Sequence, residues 1–227
     1  MRALLLPGMD GSGALLGEFV SAMTPRFQVD VVTYPTDRIL GYDRLQALVI
    51  EHLPRDTPFL LIGESFSGPI AIRIAAARPR GLIGLVLCAT FAASPQPWFR
   101  PLRSLLALPL PKPPTRLLMP AMMGRWTTRE WTHREQVALA AMPAAVARER
   151  LSEVLNVDVT AELARIECPV LYLQASHDRL VPRRCWREIH THIQRAKRVR
   201  LHGPHFILQH QPALAAQAIR QYFNGSF

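Results

Sequence analysis

Lysine is nearly missing from this chain. Of its 27 basic residues only Lys112 and Lys197 are lysine, and arginine supplies the rest of a formal net charge of +10. Such a surface favours anionic partners: nucleic acid, acidic proteins, anionic lipids or acyl-phosphopantetheine carriers. No recognised nucleic-acid motif is present, so no nucleic-acid partner is expected. Cysteine is scarce as well. Cys88, Cys168 and Cys185 are an odd number without metal-ligand spacing, which argues against a disulfide framework or a zinc site. Long apolar runs are absent: nothing approaches the roughly 18–20 residues of a membrane span. The short run Leu4-Leu5-Leu6 stops at Pro7-Gly8-Met9-Asp10-Gly11, where the apolar part of a secretory signal would have to continue. The expected location is therefore cytoplasmic, with no membrane span. Charged residues make up only 19% and apolar ones 49%, which excludes global disorder and leaves ample material for a core. At 227 residues the chain fits one domain.

Periodicity reads as strands alternating with helices. Apolar runs at Arg2–Leu6, Phe27–Thr33, Phe59–Gly63, Leu82–Cys88, Val170–Gln174 and Arg198–His202 predict six strands. Helical patterns at Ala14–Met23, Tyr42–Leu53, Pro69–Arg78, Pro182–His192 and Pro212–Phe223 fall between or after them. Repeated strand–helix units argue for a largely parallel sheet covered on both faces. Residues 91–164 break the pattern: no convincing strand, many prolines and several short helical pieces, including Trp98, Trp126 and Trp131. They read as a helical cap or lid inserted after the fourth strand, with residues 1–90 and 165–227 as the core.

The strongest local signal is Gly63-Glu64-Ser65-Phe66-Ser67-Gly68, at the passage from a predicted strand to a predicted helix. A sharp turn there lifts one side chain to the sheet edge and needs small residues two before and two after it. Gly63 and Ser67 are small; Ser67, where glycine is usual, reads as a tolerated variant. A serine hydroxyl is a weak nucleophile and needs a base within hydrogen-bond reach. His205, in Gly203-Pro204-His205 after the last strand, is the candidate, with His202 its rival. The histidine in turn needs an acid to fix its tautomer. Asp178 follows the fifth strand, whereas the loop after the fourth, Ala89–Ser94, has no carboxylate. Attack on an ester carbonyl builds charge on oxygen, and each preorganised N–H donor there is worth about 3–4 kcal/mol. The backbones of Phe66 and Met9 are the expected donors. The Pro7–Gly13 loop lacks both Gly-x-Gly-x-x-Gly spacing and a Walker lysine, so nucleotide binding is not expected.

With these residues in place the chain resembles the α/β-hydrolase superfamily over nearly its whole length. The order Ser65, Asp178, His205 is that of the superfamily. Leu6-Pro7-Gly8-Met9-Asp10-Gly11 is similar to its oxyanion-loop segment, with proline where histidine is common. The resemblance implies a minimal α/β-hydrolase fold of about six mostly parallel strands, the usual N-terminal hairpin being missing. It also implies ester hydrolysis through an acyl-enzyme, without cofactor or metal. A haloalkane or epoxide hydrolase would want a carboxylate at position 65; a haloperoxidase-like enzyme would share the triad. A binding protein on the same fold is the non-enzymatic alternative, disfavoured because all three site residues are present.

Substrate identity does not follow from the fold. From Phe91 to Arg129 six basic residues (Arg100, Arg103, Lys112, Arg116, Arg125, Arg129) meet no acidic one, and Arg179–Arg200 holds eight against Glu188 alone. Solvated surface charge is the plain reading. The sharper one is docking of an acidic acyl-carrier protein, as implied by resemblance to the pimeloyl-carrier-protein methyl ester esterases. Phe91, Trp98, Phe99, Leu105, Leu106, Met119, Met122 and Met123 would then line an acyl tunnel, and a carrier thioesterase would use the same features. The expected substrate is thus a small-molecule or carrier-bound acyl ester.

Overall fold

The computed structural model describes residues 1–24 and 26–224. In chain order, β1 (Arg2–Leu6), α1 (Gly17–Met23), β2 (Gln28–Val31), α2 (Tyr42–Glu51), β3 (Phe59–Glu64), α3 (Gly68–Ala76) and β4 (Leu82–Cys88) form the first half. Then come a 3₁₀ segment (Pro97–Ala107), α4 (Thr115–Met123), α5 (Arg129–Ala140), α6 (Ala144–Asn156) and α7 (Thr160–Leu163). The chain returns through β5 (Val170–Ala175), α8 (Arg183–His192) and β6 (Lys197–Leu201) to α9 (Ile207–His210) and α10 (Pro212–Asn224).

The six strands make one sheet in the order β2-β1-β3-β4-β5-β6, and every neighbouring pair is parallel. The expected six-strand sheet is there, fully rather than mostly parallel, with the helical insertion between β4 and β5. Boundaries moved by a few residues: the helix expected from Ala14 begins at Gly17, and the strand expected over Phe27–Thr33 spans Gln28–Val31.

Side chains alternate across a strand, so a near-continuous apolar run feeds two cores. Leu4, Leu6, Leu61, Leu85, Leu87 and Tyr172 pack with α2, α3 and α8 through Leu45, Val49, Ile70, Ile74 and Ile189. Ala3, Leu5, Leu60, Ile62, Val86 and Leu173 face the other way, onto Phe19 and Met23 of α1 and Ile219 and Phe223 of α10. The apolar residues between two turns are thus divided by parity between the faces.

From β1 the chain goes to β2 on one side, while β3 lies on the other. In open parallel sheets the crevice at such a switch point, beyond the strands' C-terminal ends, is where ligands bind. Here it is bounded by the loop after β1 and the turn after β3. The insertion is pinned at its base by an antiparallel bridge, with Ser94 N–H donating to Val157 O (3.0 Å) and Val159 N–H to Ala92 O (2.8 Å). Its far parts lie over the crevice: Met122 O accepts from the His205 amide at 3.1 Å, and Arg179 donates to Pro120 O at 3.1 Å.

Candidate active site

Because all strands run the same way, the loops after β1, β3, β5 and β6 share one edge of the sheet. Ser65 opens the 3₁₀ turn that joins β3 to α3, with φ +47°. A left-handed conformation costs a side-chain-bearing residue about 1–3 kcal/mol unless its surroundings over-determine it. Here four groups hold the turn. Thr90 Oγ1 donates to Ser65 O, and Tyr172 OH donates to Thr90 O at 2.7 Å. Tyr42 OH donates to Phe66 O at 2.9 Å while its ring stacks on Phe66 with centroids 4.7 Å apart.

The fourth tie is Ser67. Its buried hydroxyl donates to Pro7 O, and since that uses its one proton, the Tyr34 hydroxyl donates to Ser67 Oγ at 2.7 Å. Ser67 therefore bolts the turn to the loop after β1 instead of being merely tolerated. The residue that must stay small is Gly68, where a Cβ would fall 1.8 Å from Thr90 Oγ1. At Gly63 a Cβ would come within 2.7 Å of the Ala71 Cβ, so helix and strand approach as closely there as glycine permits.

Ser65 Oγ lies 2.8 Å from His205 Nε2, and His205 Nδ1 lies 2.8 Å from Asp178 Oδ2. A carboxylate only accepts, so Nδ1 carries the proton and Nε2 is left to accept from the Ser65 hydroxyl. Asp178 also caps its own turn: Oδ1 accepts from the amides of Leu180 (2.9 Å) and Val181 (2.8 Å). The two oxygens thus do separate jobs, one orienting the loop and one the imidazole. Burial opposes charge on His205, but the charge and hydrogen bond of Asp178, with Glu64 and Glu135 adding, outweigh it and raise its pKa above 6.5. Such a chain can move a proton from hydroxyl to imidazole while a carboxylate steadies the cation. The rival His202 sits outside, its Nε2 3.0 Å from Arg125 Nη2 in an exposed group with Trp126, His177 and His210.

A cavity of about 1170 Å³ opens between this edge and the insertion, lined by Ser65, His205, Phe66 and Met9 together with residues of α4, α5 and α6. The Met9 amide has no acceptor among the described residues, while the Met9 carbonyl accepts from Arg150 Nη1 at 2.8 Å. Of the apolar residues expected to line a tunnel, Phe91, Phe99, Leu106 and Met122 do. Met119 and Met123 are instead buried and do not line it, and Trp98 and Leu105 are exposed. Half of the six-residue basic run is committed to the insertion itself. Arg100 donates to Leu155 O (3.0 Å), Arg103 to Asn156 Oδ1 (3.1 Å) and Lys112 to Leu139 O and Met142 O (2.5 and 2.6 Å). Cations there satisfy carbonyls at helix ends, where the dipole favours them.

Three buried charged groups escaped sequence reasoning. Arg150 of α6 is fully buried, donating to Met9 O and to Pro35 O (2.9 Å) and joining the insertion to the loop after β1. Glu64, beneath Ser65, accepts from Gln209 Nε2 at 2.8 Å, and burial pushes its pKa up to about 7. Glu135 of α5 is 4% exposed, and burial, with Asp10 and Glu64 nearby, pushes it up to about 8. On a helix each reads as one more solvated charge; only the glutamate at position 64, inside an apolar strand end, carried a signal of burial.

A model described as the alpha/beta hydrolase family matches residues 3–218. Comparison with curated protein sequences found no match. Among solved structures, a thermophilic esterase from Thermogutta terrifontis is similar with a TM-score of 0.80 at 22% identity, covering 100% of this chain and 90% of that one. The enol-lactonase from Burkholderia xenovorans LB400 gives 0.78 at 17% identity, covering 98% and 91%. A bromoperoxidase from Bacillus anthracis gives 0.79 at 13%, covering 98% and 91%. At such identities the likeness speaks for the fold, while the family match takes in nearly the whole chain. This chain belongs to the alpha/beta hydrolase family.

Proposed function

We propose that this protein is a serine hydrolase that cleaves carboxylic esters through an acyl-enzyme. The observation that carries the reading is the unbroken run from Ser65 Oγ to His205 to Asp178, 2.8 Å at each step, opening on a largely apolar cavity. In this mechanism Ser65 Oγ attacks the ester carbonyl carbon as His205 Nε2 takes its proton. Asp178 holds the imidazole in the accepting tautomer and steadies the imidazolium. The Met9 and Phe66 amides receive the developing oxyanion, at about 3–4 kcal/mol per donor. Collapse of the tetrahedral intermediate expels the alcohol, which His205 protonates. Water, deprotonated by the same nitrogen, then releases the acid and restores Ser65.

Residues 91–164 serve as the cap in this reading, excluding bulk water and shaping the acyl site. Hydrolysis of short p-nitrophenyl esters by the wild type, lost in Ser65→Ala, is the expected result; equal activity in that variant would overturn the reading. A second reading, thioester or methyl ester cleavage on an acidic acyl-carrier protein, is favoured by Arg116, which lines the cavity, is exposed and has no described partner. Its test is salt-sensitive binding of an acidic carrier protein, weakened in Arg116→Ala; binding indifferent to salt would remove it.

A further inference from the structure

Glu135 is out of place for an apolar acyl site. It projects from α5 into the cavity that holds Ser65, between the turns that contribute Thr132 and Leu139, and is 4% exposed. It makes no hydrogen bond or ion pair with any described residue. The ionisable groups nearest to it are engaged elsewhere. Asp10 accepts from the Ser12 amide at 2.9 Å, Glu64 from Gln209 at 2.8 Å, and His205 is held by Asp178. Cations lining the same cavity are held elsewhere or face solvent: Lys112 on the Leu139 and Met142 carbonyls, Arg148 on Leu110 O (2.5 Å), Arg116 exposed.

A carboxyl that is 4% exposed, with no protein partner and open only to the cavity, costs more there than leucine or methionine would. The loss is recovered when a ligand brings the missing donor. We infer that Glu135 is the specificity-determining group of this cavity, and that it receives a hydrogen-bond donor, a hydroxyl or an ammonium, carried by an otherwise apolar acyl ester. This rests on the ester-hydrolase reading and names the substrate class within it. An unsubstituted acyl chain fills the same space but leaves the carboxyl unpaired, and sites built around a buried polar group discriminate strongly against ligands that fail to satisfy it.

The test compares p-nitrophenyl esters of ω-hydroxy and ω-amino acids of six to ten carbons with alkanoates of matching length, in the wild type, Glu135→Leu and Glu135→Gln. In the wild type kcat/KM should favour a donor-bearing ester over its matched alkanoate by at least about tenfold at one or more lengths. Glu135→Leu should bring that ratio to about one. Glu135→Gln separates the two donors: the amide still accepts from a hydroxyl, so that preference survives, while an ammonium preference, which requires Glu135 to give up its proton, is lost. Should Glu135→Leu not fold, Glu135→Ala takes its place and should likewise bring the ratio to about one. A wild-type ratio near one at every length, or a preference that survives both substitutions unchanged, overturns the inference. Hydrolysis that persists in Ser65→Ala counts against the ester-hydrolase reading itself. Hydrolysis that depends on Ser65 but ignores the ω-substituent counts against Glu135 alone.

Discussion

Glutamine in place of Glu64 removes one titrating proton from beneath Ser65 while keeping the side chain's shape. Burial is the largest influence on this carboxyl; with the Asp10 charge it outweighs the hydrogen bond from Gln209 and raises the pKa from 4.5 to about 7. An acid whose folded pKa lies above its unfolded value holds more protons when folded. Its stabilisation is therefore complete below pH 4.5 and disappears as pH rises through about 7. That interval, at about 1.4 kcal/mol per pH unit, amounts to about 3 kcal/mol. The neighbouring Gln209 Oε1 is buried with no hydrogen-bond partner among the described residues, and a protonated Glu64 would offer it a donor. The amide of the Glu64→Gln variant supplies a donor at every pH. In urea unfolding, the variant should lead the wild type by under about 1 kcal/mol at pH 5. The variant should gain progressively, by about 3 kcal/mol at pH 8. Glu135 adds its own decline toward pH 8, smaller in the variant because the Glu64 charge that helps raise it is gone, so its effect on the difference has the same sign. A difference that stays constant from pH 5 to pH 8 would refute the argument that Glu64 is folded in its neutral form.

Ester hydrolysis needs His205 unprotonated, and its pKa is raised, so the acid limb of kcat/KM should have its midpoint above 6.5; Glu64→Gln, by removing a charge that favours the imidazolium, should move that limb to lower pH. Asp178→Asn should lower kcat by about 10⁴-fold, as expected when the imidazole loses the acceptor that fixes its tautomer, read in steady-state assays with folding checked by circular dichroism. Ser67→Ala strips Tyr34 and Pro7 of a buried partner and should cost about 1–3 kcal/mol in urea unfolding; Gly68→Ala, whose Cβ would fall on Thr90, should destabilise more, so the reverse order would contradict the account of the turn. Arg150→Met should lower kcat by about tenfold with less effect on KM, a smaller loss than the 10²–10³-fold for deleting an oxyanion donor outright, because it frees only the peptide beside the Met9 amide.

The sheet was legible because its information is local. Leu82–Cys88 is a continuous apolar run stopped by glycine on one side and a loop on the other, and the strand has those bounds. Ser65, Asp178 and His205 could be chosen because parallel strands bring their C-terminal loops together, whatever the distance along the chain. Contacts set by packing across layers were not legible. Ser67 looked like a size variant because its partner Tyr34 lies 33 residues away, in a loop with no pattern of its own. Arg150 and Glu135 sit on polar-looking helices, and nothing in the 3.6-residue period says that a charged position will be buried rather than face water. The basic run of the insertion misled in the opposite direction: its charges suggested a partner, while carbonyls at nearby helix ends take up several of them.

In the proposed mechanism Ser65 is a nucleophile made reactive by His205. Treatment with a fluorophosphonate, followed by peptide mapping in a mass spectrometer, tests it directly. One covalent adduct on the peptide containing Ser65, absent in Ser65→Ala and slowed by orders of magnitude in His205→Ala, is the predicted result. An unlabelled wild type that is folded, or labelling that proceeds equally well in Ser65→Ala, would contradict it.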